Sequence, residues 1–158
     1  MDKYPESKTV IRFQDCDAFG HLNNASFIDY FINAREDHLR DYYAFDLYKH
    51  AKQSNHNWYI RRHEIAYLRP AGLGETVTIR TSLIDLTKRT LTVEGIMLDE
   101  TGKKLKALQW TTFNYVDLKD GRSAVHPGDL NTLLSSILLE DVENGNLDER
   151  ITQLKRSA

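Results

Sequence analysis

The sequence predicts an α+β fold in which a five-stranded antiparallel sheet wraps one long helix. Three observations carry this expectation. A short segment rich in β-branched and aromatic residues is followed by a long stretch whose apolar residues recur at helical spacing. Four further strand-like segments come after it. Clusters of turn-forming residues separate those four.

Thr9-Val-Ile-Arg-Phe-Gln14 reads as the first strand. The helix is expected from about Asn24 to Tyr43, because Phe27, Phe31, Ala34 and His38 repeat at intervals of three, four and seven, with Ile28, Ile32 and Leu39 beside them. Ala44 to His56 is polar and poorly periodic and reads as a connection. Trp58 to Leu68 is the second strand, ended by the turn residues Arg69-Pro70-Ala-Gly72-Leu-Gly74. Thr76 to Leu86 alternates, with Val77, Ile79, Thr81 and Leu83 on one face; Thr87-Lys88-Arg89 then reverses the chain into Thr90 to Leu98. Asp99-Glu-Thr-Gly102 turns it again into Lys104 to Asp117. In the tail, Leu130, Leu133, Leu134, Ile137, Leu138 and Val142 have helical spacing, with Asp129 as cap and Gly145 as stop. Leu147, Ile151 and Leu154 suggest a second short helix, and the segment from Asn146 onward is expected to contribute much less to stability than the first. The tail has two readings: a helix packed on the sheet or on a neighbouring subunit, or a lid over an acyl tunnel.

Between the first strand and the helix lies Asp15-Cys-Asp17-Ala-Phe-Gly20-His21-Leu-Asn23-Asn24. Asn23 or Asn24 can cap the helix through its side-chain oxygen. The remaining first-turn N–H groups, aided by the helix dipole, favour negative charge in front of them. Asp17 lies on the loop into that place, and a carboxylate beside an oxyanion-stabilising helix end is a hydrolytic site in outline. An Asx-turn, with the carboxylate satisfying backbone N–H groups, is the competing reading. Asp15 reads as a brace for the loop. His21 reads either as a proton carrier or as a hydrogen-bonding strut packed in the turn. Cys16, between two acids, is expected to have a raised pKa and to serve as buried filler.

This motif, with Tyr30 and Ala34-Arg35 following on the helix, resembles the start of hotdog-fold acyl-CoA thioesterases of the 4-hydroxybenzoyl-CoA thioesterase family. The Gly-His-x-Asn-Asn version is similar to the fatty-acyl branch, which acts on thioesters of CoA or acyl-carrier protein. The resemblance extends to about residue 117 and implies a hotdog domain over residues 1–126, with 127–158 as a helical extension. It gives Asp17 the role of nucleophile or general base and the backbone N–H at Asn24 that of oxyanion donor. Gly20, without a side chain, lets the loop approach the thioester. A thiol leaving group, with a pKa near ~8.5, departs without a strong general acid. Phe27 stands where the fatty-acyl branch usually has tyrosine. The tail is a second departure, since the compact members end near the last strand.

Substrate contacts are expected from Asn23 at the helix start and, for the acyl group, from Phe31, Trp58 and Tyr59. For the CoA phosphates the candidates are Arg61, Arg62, Lys88, Arg89 and the Lys103-Lys104-Lys106 cluster. The resemblance also implies a homodimer or homotetramer formed through a strand edge, for which an unpaired edge gives a physical reason. Two alternatives stand beside acyl-CoA hydrolysis: hydrolysis of acyl-carrier-protein thioesters, and acyl-CoA binding without turnover.

Composition narrows the field. At 158 residues the chain suits one domain, burying about 70% of its unfolded surface. Net charge is −2, from 21 basic and 23 acidic residues with no basic block, which argues against nucleic acid as partner. A lone cysteine excludes an intramolecular disulfide and, with a polar start and no apolar run near ~20 residues, fits a cytoplasmic protein with no membrane partner. There is no Gly-x-Ser-x-Gly elbow, and His63-Glu64-Ile-Ala-Tyr67 has tyrosine where a zinc motif needs its second histidine. Neither a metal nor any other cofactor is expected.

Overall fold

The computed structural model describes residues 1–142 and 145–156. Five strands form one antiparallel sheet: β1 (Glu6–Val10), β2 (His56–Tyr67), β3 (Thr76–Leu86), β4 (Thr90–Asp99) and β5 (Leu105–Asp117), in the spatial order β1-β3-β4-β5-β2. Helices are α1 (Asn24–Tyr43), α2 (Leu47–Ser54), α3 (Gly128–Ile137) and α4 (Leu147–Arg156). This is the hotdog arrangement, with α1 lying in the curve of the sheet.

The period-2 alternation of the strands meets the helical stripe of α1. Phe27, Phe31 and Ala34 pack on Val77, Ile79, Met97 and Ala107 at one end of the sheet. At the other end Leu83, Leu91, Val93 and Tyr115 meet Tyr43 and the α3 residues Leu130, Leu134 and Ile137. Gly95 is required by close approach, since a Cβ there would lie 2.5 Å from Cδ1 of Phe31. The opposite face of the sheet is covered by α4, whose Leu147 and Ile151 join Ile96, Leu98 and Leu108.

Several boundaries differ from the sequence expectation. The first strand is Glu6–Val10, and Phe13–Asp15 is a short 3-10 turn, because the chain must bend there to reach the motif loop. Ala44–His56 is not a plain connection: Asp46 accepts hydrogen bonds from the Tyr48 and Lys49 N–H groups and caps α2. α3 begins at Gly128 with Pro127 as its N-cap, so Asp129 lies within the first turn, and it stops at Ile137 rather than at Gly145. There the chain turns extended, and the Leu139 N–H bonds the Leu83 carbonyl at 2.8 Å. The tail assignment 127–158 also spans 143, 144, 157 and 158, which lie outside the described residues. The last helix is no minor appendage, since it places Arg150 against the buried Glu94.

His38 ties three elements together. Its Nδ1 is 2.7 Å from Thr81 Oγ1 and its Nε2 2.8 Å from Ser7 Oγ. Burial, then the nearby Arg35 charge, lowers its pKa from 6.5 to about 4, against the opposing pull of Asp37, Asp41 and Glu6. The folded state therefore keeps His38 neutral, while the unfolded chain takes up a proton as pH falls through 6.5. The stabilisation is complete above that pH and is lost progressively as pH falls toward about 4. Urea unfolding at pH 7.5 and 4.5 should show wild type losing about 2–3 kcal/mol more than His38→Gln; equal losses would remove His38 as the acid-sensitive group.

Candidate active site

The motif loop is held on every side by backbone pairing. The Leu22 N–H bonds the Ala71 carbonyl and the Leu73 N–H bonds the Gly20 carbonyl, each at 2.8 Å, and His21 bridges to Gly72. Asp15 braces the loop as its position suggests: its carbonyl accepts the Asn23 N–H at 2.9 Å and its Oδ2 accepts the Tyr30 hydroxyl at 2.7 Å. The Arg12 N–H in turn donates to the Tyr30 oxygen at 3.0 Å. Burial and the Asp15 bond raise the Tyr30 pKa, so the hydroxyl stays protonated.

Asp17 is exposed, and its Oδ1 accepts the N–H groups of Phe19 at 2.9 Å and His21 at 3.1 Å. This is the Asx-turn of the competing reading, yet it engages only one oxygen; no protein hydrogen bond holds Oδ2 among the described residues. Gly20 adopts φ 74°, a left-handed conformation that favours glycine, and its N–H closes the turn on the Asp17 carbonyl at 3.0 Å. The carboxylate is thereby fixed in orientation with one oxygen turned outward.

Asn23 occupies the N-cap position of α1 without a side-chain cap hydrogen bond, contrary to the capping expected for the asparagine pair. The first-turn N–H groups of α1 receive no side-chain acceptor from Asn23, and the Ser26 N–H is met instead by the Asn23 carbonyl at 2.9 Å. The Asn24 carbonyl accepts the Tyr67 hydroxyl at 2.7 Å, and the Tyr67 ring meets Phe27 edge-on at 5.2 Å. Phe27 is core, so the hydroxyl of the fatty-acyl branch has no counterpart at that position.

The remaining predicted residues scatter. His21 is exposed, and its backbone does the bracing: its carbonyl accepts the Asp17 N–H at 2.8 Å and its N–H donates to Asp17 Oδ1. Cys16 is only partly buried; its thiol donates to the Arg12 carbonyl at 3.3 Å and is pushed up in pKa by desolvation and by Asp17 and Asp15. Phe31 is sealed in the core and does not face an open cavity large enough for an acyl group. Tyr59 and Arg61 stand exposed on β2, and Arg62 pairs with Glu64 at 3.0 Å. Lys88 and Arg89 lie at the β3–β4 turn, the end of the sheet away from Asp17, where Arg89 bonds the Ser123 carbonyl at 2.8 Å. Lys106 is excluded as a phosphate ligand: it is buried against Glu75 at 2.8 Å and the Pro70 carbonyl at 2.9 Å. Lys103 and Lys104 remain exposed.

Sequence reasoning missed an apolar chamber of about 240 Å³ between the C-terminal half of α1, α3 and the sheet. Of the predicted acyl contacts only Trp58 lines it, anchored by a 3.0 Å hydrogen bond from its Nε1 to His126 Nε2. The available signal was the leucine stripe of α3 read together with Ile32 and Leu39, which lie beside the main stripe of α1. Among the described residues no three His, Cys, Asp or Glu side chains converge as a metal site, and no helix is long and apolar enough to cross a membrane.

The hotdog sheet wraps α1, and the motif loop that carries Asp17 leads into the N-terminus of that helix, the fold of the thioester hydrolase class. The chain belongs to the thioesterase-like superfamily, whose family model matches residues 11–134. It is 24% identical over 133 residues to the long-chain acyl-CoA thioesterase FadM of Escherichia coli strain K12, covering 84% of this chain and 98% of that one. Solved structures of the same fold include the probable thioesterase YbaW from Escherichia coli, with TM-score 0.71 and 24% identity over 85% of this chain and 98% of that one. Another is the 1,4-dihydroxy-2-naphthoyl-CoA thioesterase Slr0204 from Synechocystis, with TM-score 0.76 and 13% identity over 85% and 97%. A third is SAV2348 from Staphylococcus aureus in complex with CoA, with TM-score 0.79 and 13% identity over 92% and 91%.

Proposed function

We propose that the protein hydrolyses acyl-CoA thioesters to free acid and CoA in the cytoplasm. The observation that carries this reading is the pairing of Asp17, with one oxygen pinned and one turned outward, and an α1 N-terminus left uncapped by Asn23. In the reaction, Asp17 either attacks the thioester carbonyl, giving an anhydride that water then hydrolyses, or activates a water for that attack, and the first-turn N–H groups near Asn24 stabilise the oxyanion. The thiolate of CoA leaves without a dedicated acid, since a thiol of pKa near ~8.5 is already a good leaving group.

The test is thiol release over short-chain, long-chain and aromatic acyl-CoAs, beside matched acyl-carrier-protein thioesters. CoA substrates should be turned over faster; a preference for the carrier protein would reassign the substrate. Tight acyl-CoA binding with no turnover across the panel would overturn hydrolysis in favour of a binding protein.

The active form is a homodimer joined through the outer edge of β2, which among the described residues pairs with β5 alone. A strand of 12 residues with an unpaired edge is a standing invitation to a second chain. Tyr59 and Ile60, 50% and 42% exposed on this strand, would be covered by the contact. Sizing with light scattering should give a dimer or a dimer of dimers, and a strictly monomeric, fully active protein would overturn this assembly.

A further inference from the structure

We infer that the groove between the end of α4 and the β4–β5 turn binds an aliphatic anion, a hydrocarbon chain with a carboxylate or phosphate head. The groove lies on the sheet face opposite α1. There Ile96 and Leu98 point toward α4, while Met97 between them packs with Phe27 and Phe31 on the other side. Its volume of about 570 Å³ falls within the range of small-molecule sites.

The floor is aliphatic. Ile96 and Leu98 of β4, Leu105 of β5, Leu68 just beyond β2 and Leu154 of α4 form it. Leu68, Leu105 and Leu154 are only partly buried, so a hydrocarbon chain laid on them would take their remaining apolar surface out of water. No aromatic side chain is among the lining residues, and nothing there would stack on the base of a nucleotide. CoA phosphates, the ligand expected for Lys103 and Lys104 from sequence, would leave this floor unused.

The rim is cationic. Arg69, Arg80, Lys103, Lys104 and Lys155 surround the floor, and no carboxylate is among the lining residues. Arg80 is committed, since its Nε and Nη2 donate to Glu6 Oε2 at 3.1 and 2.8 Å. The other four form no ion pair among the described residues. Asp99 sits in the adjoining turn but is occupied there. Its Oδ1 accepts the Lys103 and Lys104 N–H groups at 2.9 and 3.0 Å, and both its oxygens lie 2.9 Å from the Thr101 hydroxyl.

Each wall is held by the fold. The Arg69 N–H bonds the Lys106 carbonyl at 3.0 Å, the Asp99 turn fixes the two lysines, and Arg150 ties α4 to the buried Glu94. The chain as a whole carries net charge −2, so the gathering of these cations from three separate segments is a product of tertiary structure. Like charges ringed around apolar surface repel one another. An anionic head offsets that repulsion while its chain covers the floor.

The test uses the full-length chain and reads binding rather than turnover. Decanoate and decyl phosphate are titrated separately while the amide NMR signals of Gly102, Lys104 and Leu154 are followed. Saturable shifts with either ligand support the site and name its head group. Arg69→Gln combined with Lys104→Gln, both at exposed positions, should weaken that binding about tenfold without lowering the melting temperature. Decanol, the same chain without charge, should bind more weakly than either anion. Absence of shifts at these three amides, or equally tight binding by the double variant, would overturn the site. So would two other results: CoA shifting the same signals as strongly as decanoate, which would assign the groove to nucleotide phosphates, and binding seen only with anionic phospholipid vesicles, which would make it a membrane-facing surface.

Discussion

Asp17→Asn is expected to lower kcat for acyl-CoA hydrolysis by at least about a hundredfold, the low end for removal of a general base. The substitution retains the geometry that the structure assigns to this residue. An asparagine Oδ1 can still accept the Phe19 and His21 N–H groups, so the Asx-turn and the strap to Gly72 should survive. What is lost is the charge on the outward oxygen, and with it both nucleophilic and basic capacity. KM should change little, because the substitution keeps the size and the turn hydrogen bonds of the residue. Steady-state thiol release with a thermal melt on the same sample is the check: near-wild-type turnover in a folded variant would reduce Asp17 to a turn residue. Loss of melting temperature in step with activity would point to the same conclusion.

Arg150→Met should cost about 3–5 kcal/mol of unfolding free energy, the range for breaking a buried ion pair. Glu94 is 1% exposed, and its carboxylate takes two charged hydrogen bonds of 2.8 Å from Arg150 and one of 2.9 Å from Trp110. Without the arginine, the carboxylate would be left in the apolar interface between α4 and the sheet with only the indole N–H. Replacing both charges, as Glu94→Leu with Arg150→Met, should recover most of the loss, because the desolvation cost goes with the pair. Denaturant melts of the two singles and the double form the cycle. A single substitution costing under about 1 kcal/mol, the range for exposed pairs, would mean that water reaches this contact.

The two predictions draw on different kinds of information. Asp17 was legible from local sequence, because an acid, a glycine and an asparagine pair compressed before a helical stripe already describe a turn entering a helix end. The strands and α1 were legible for the same reason, since periods of 2 and 3.6 are properties of consecutive residues. Arg150 and Glu94 were not legible, being 56 residues apart and on different elements. Lys106 looked like part of an exposed basic cluster until the fold set it against Glu75. The Asn23 side chain, read as a cap, makes no cap hydrogen bond.

By itself, then, the sequence determined the periodic elements and the α+β arrangement of sheet and helix, which follow from neighbours along the chain, and it singled out Asp17 as the candidate carboxylate. Only the tertiary structure decided which charges are buried in pairs, where α2 and the ends of α3 fall, and that an apolar chamber lies at the far end of β2 from Asp17. Those are set by which distant segments meet. A single sequence carries periodicity but no distances, so long-range pairing became visible only once the sheet order had brought the segments together.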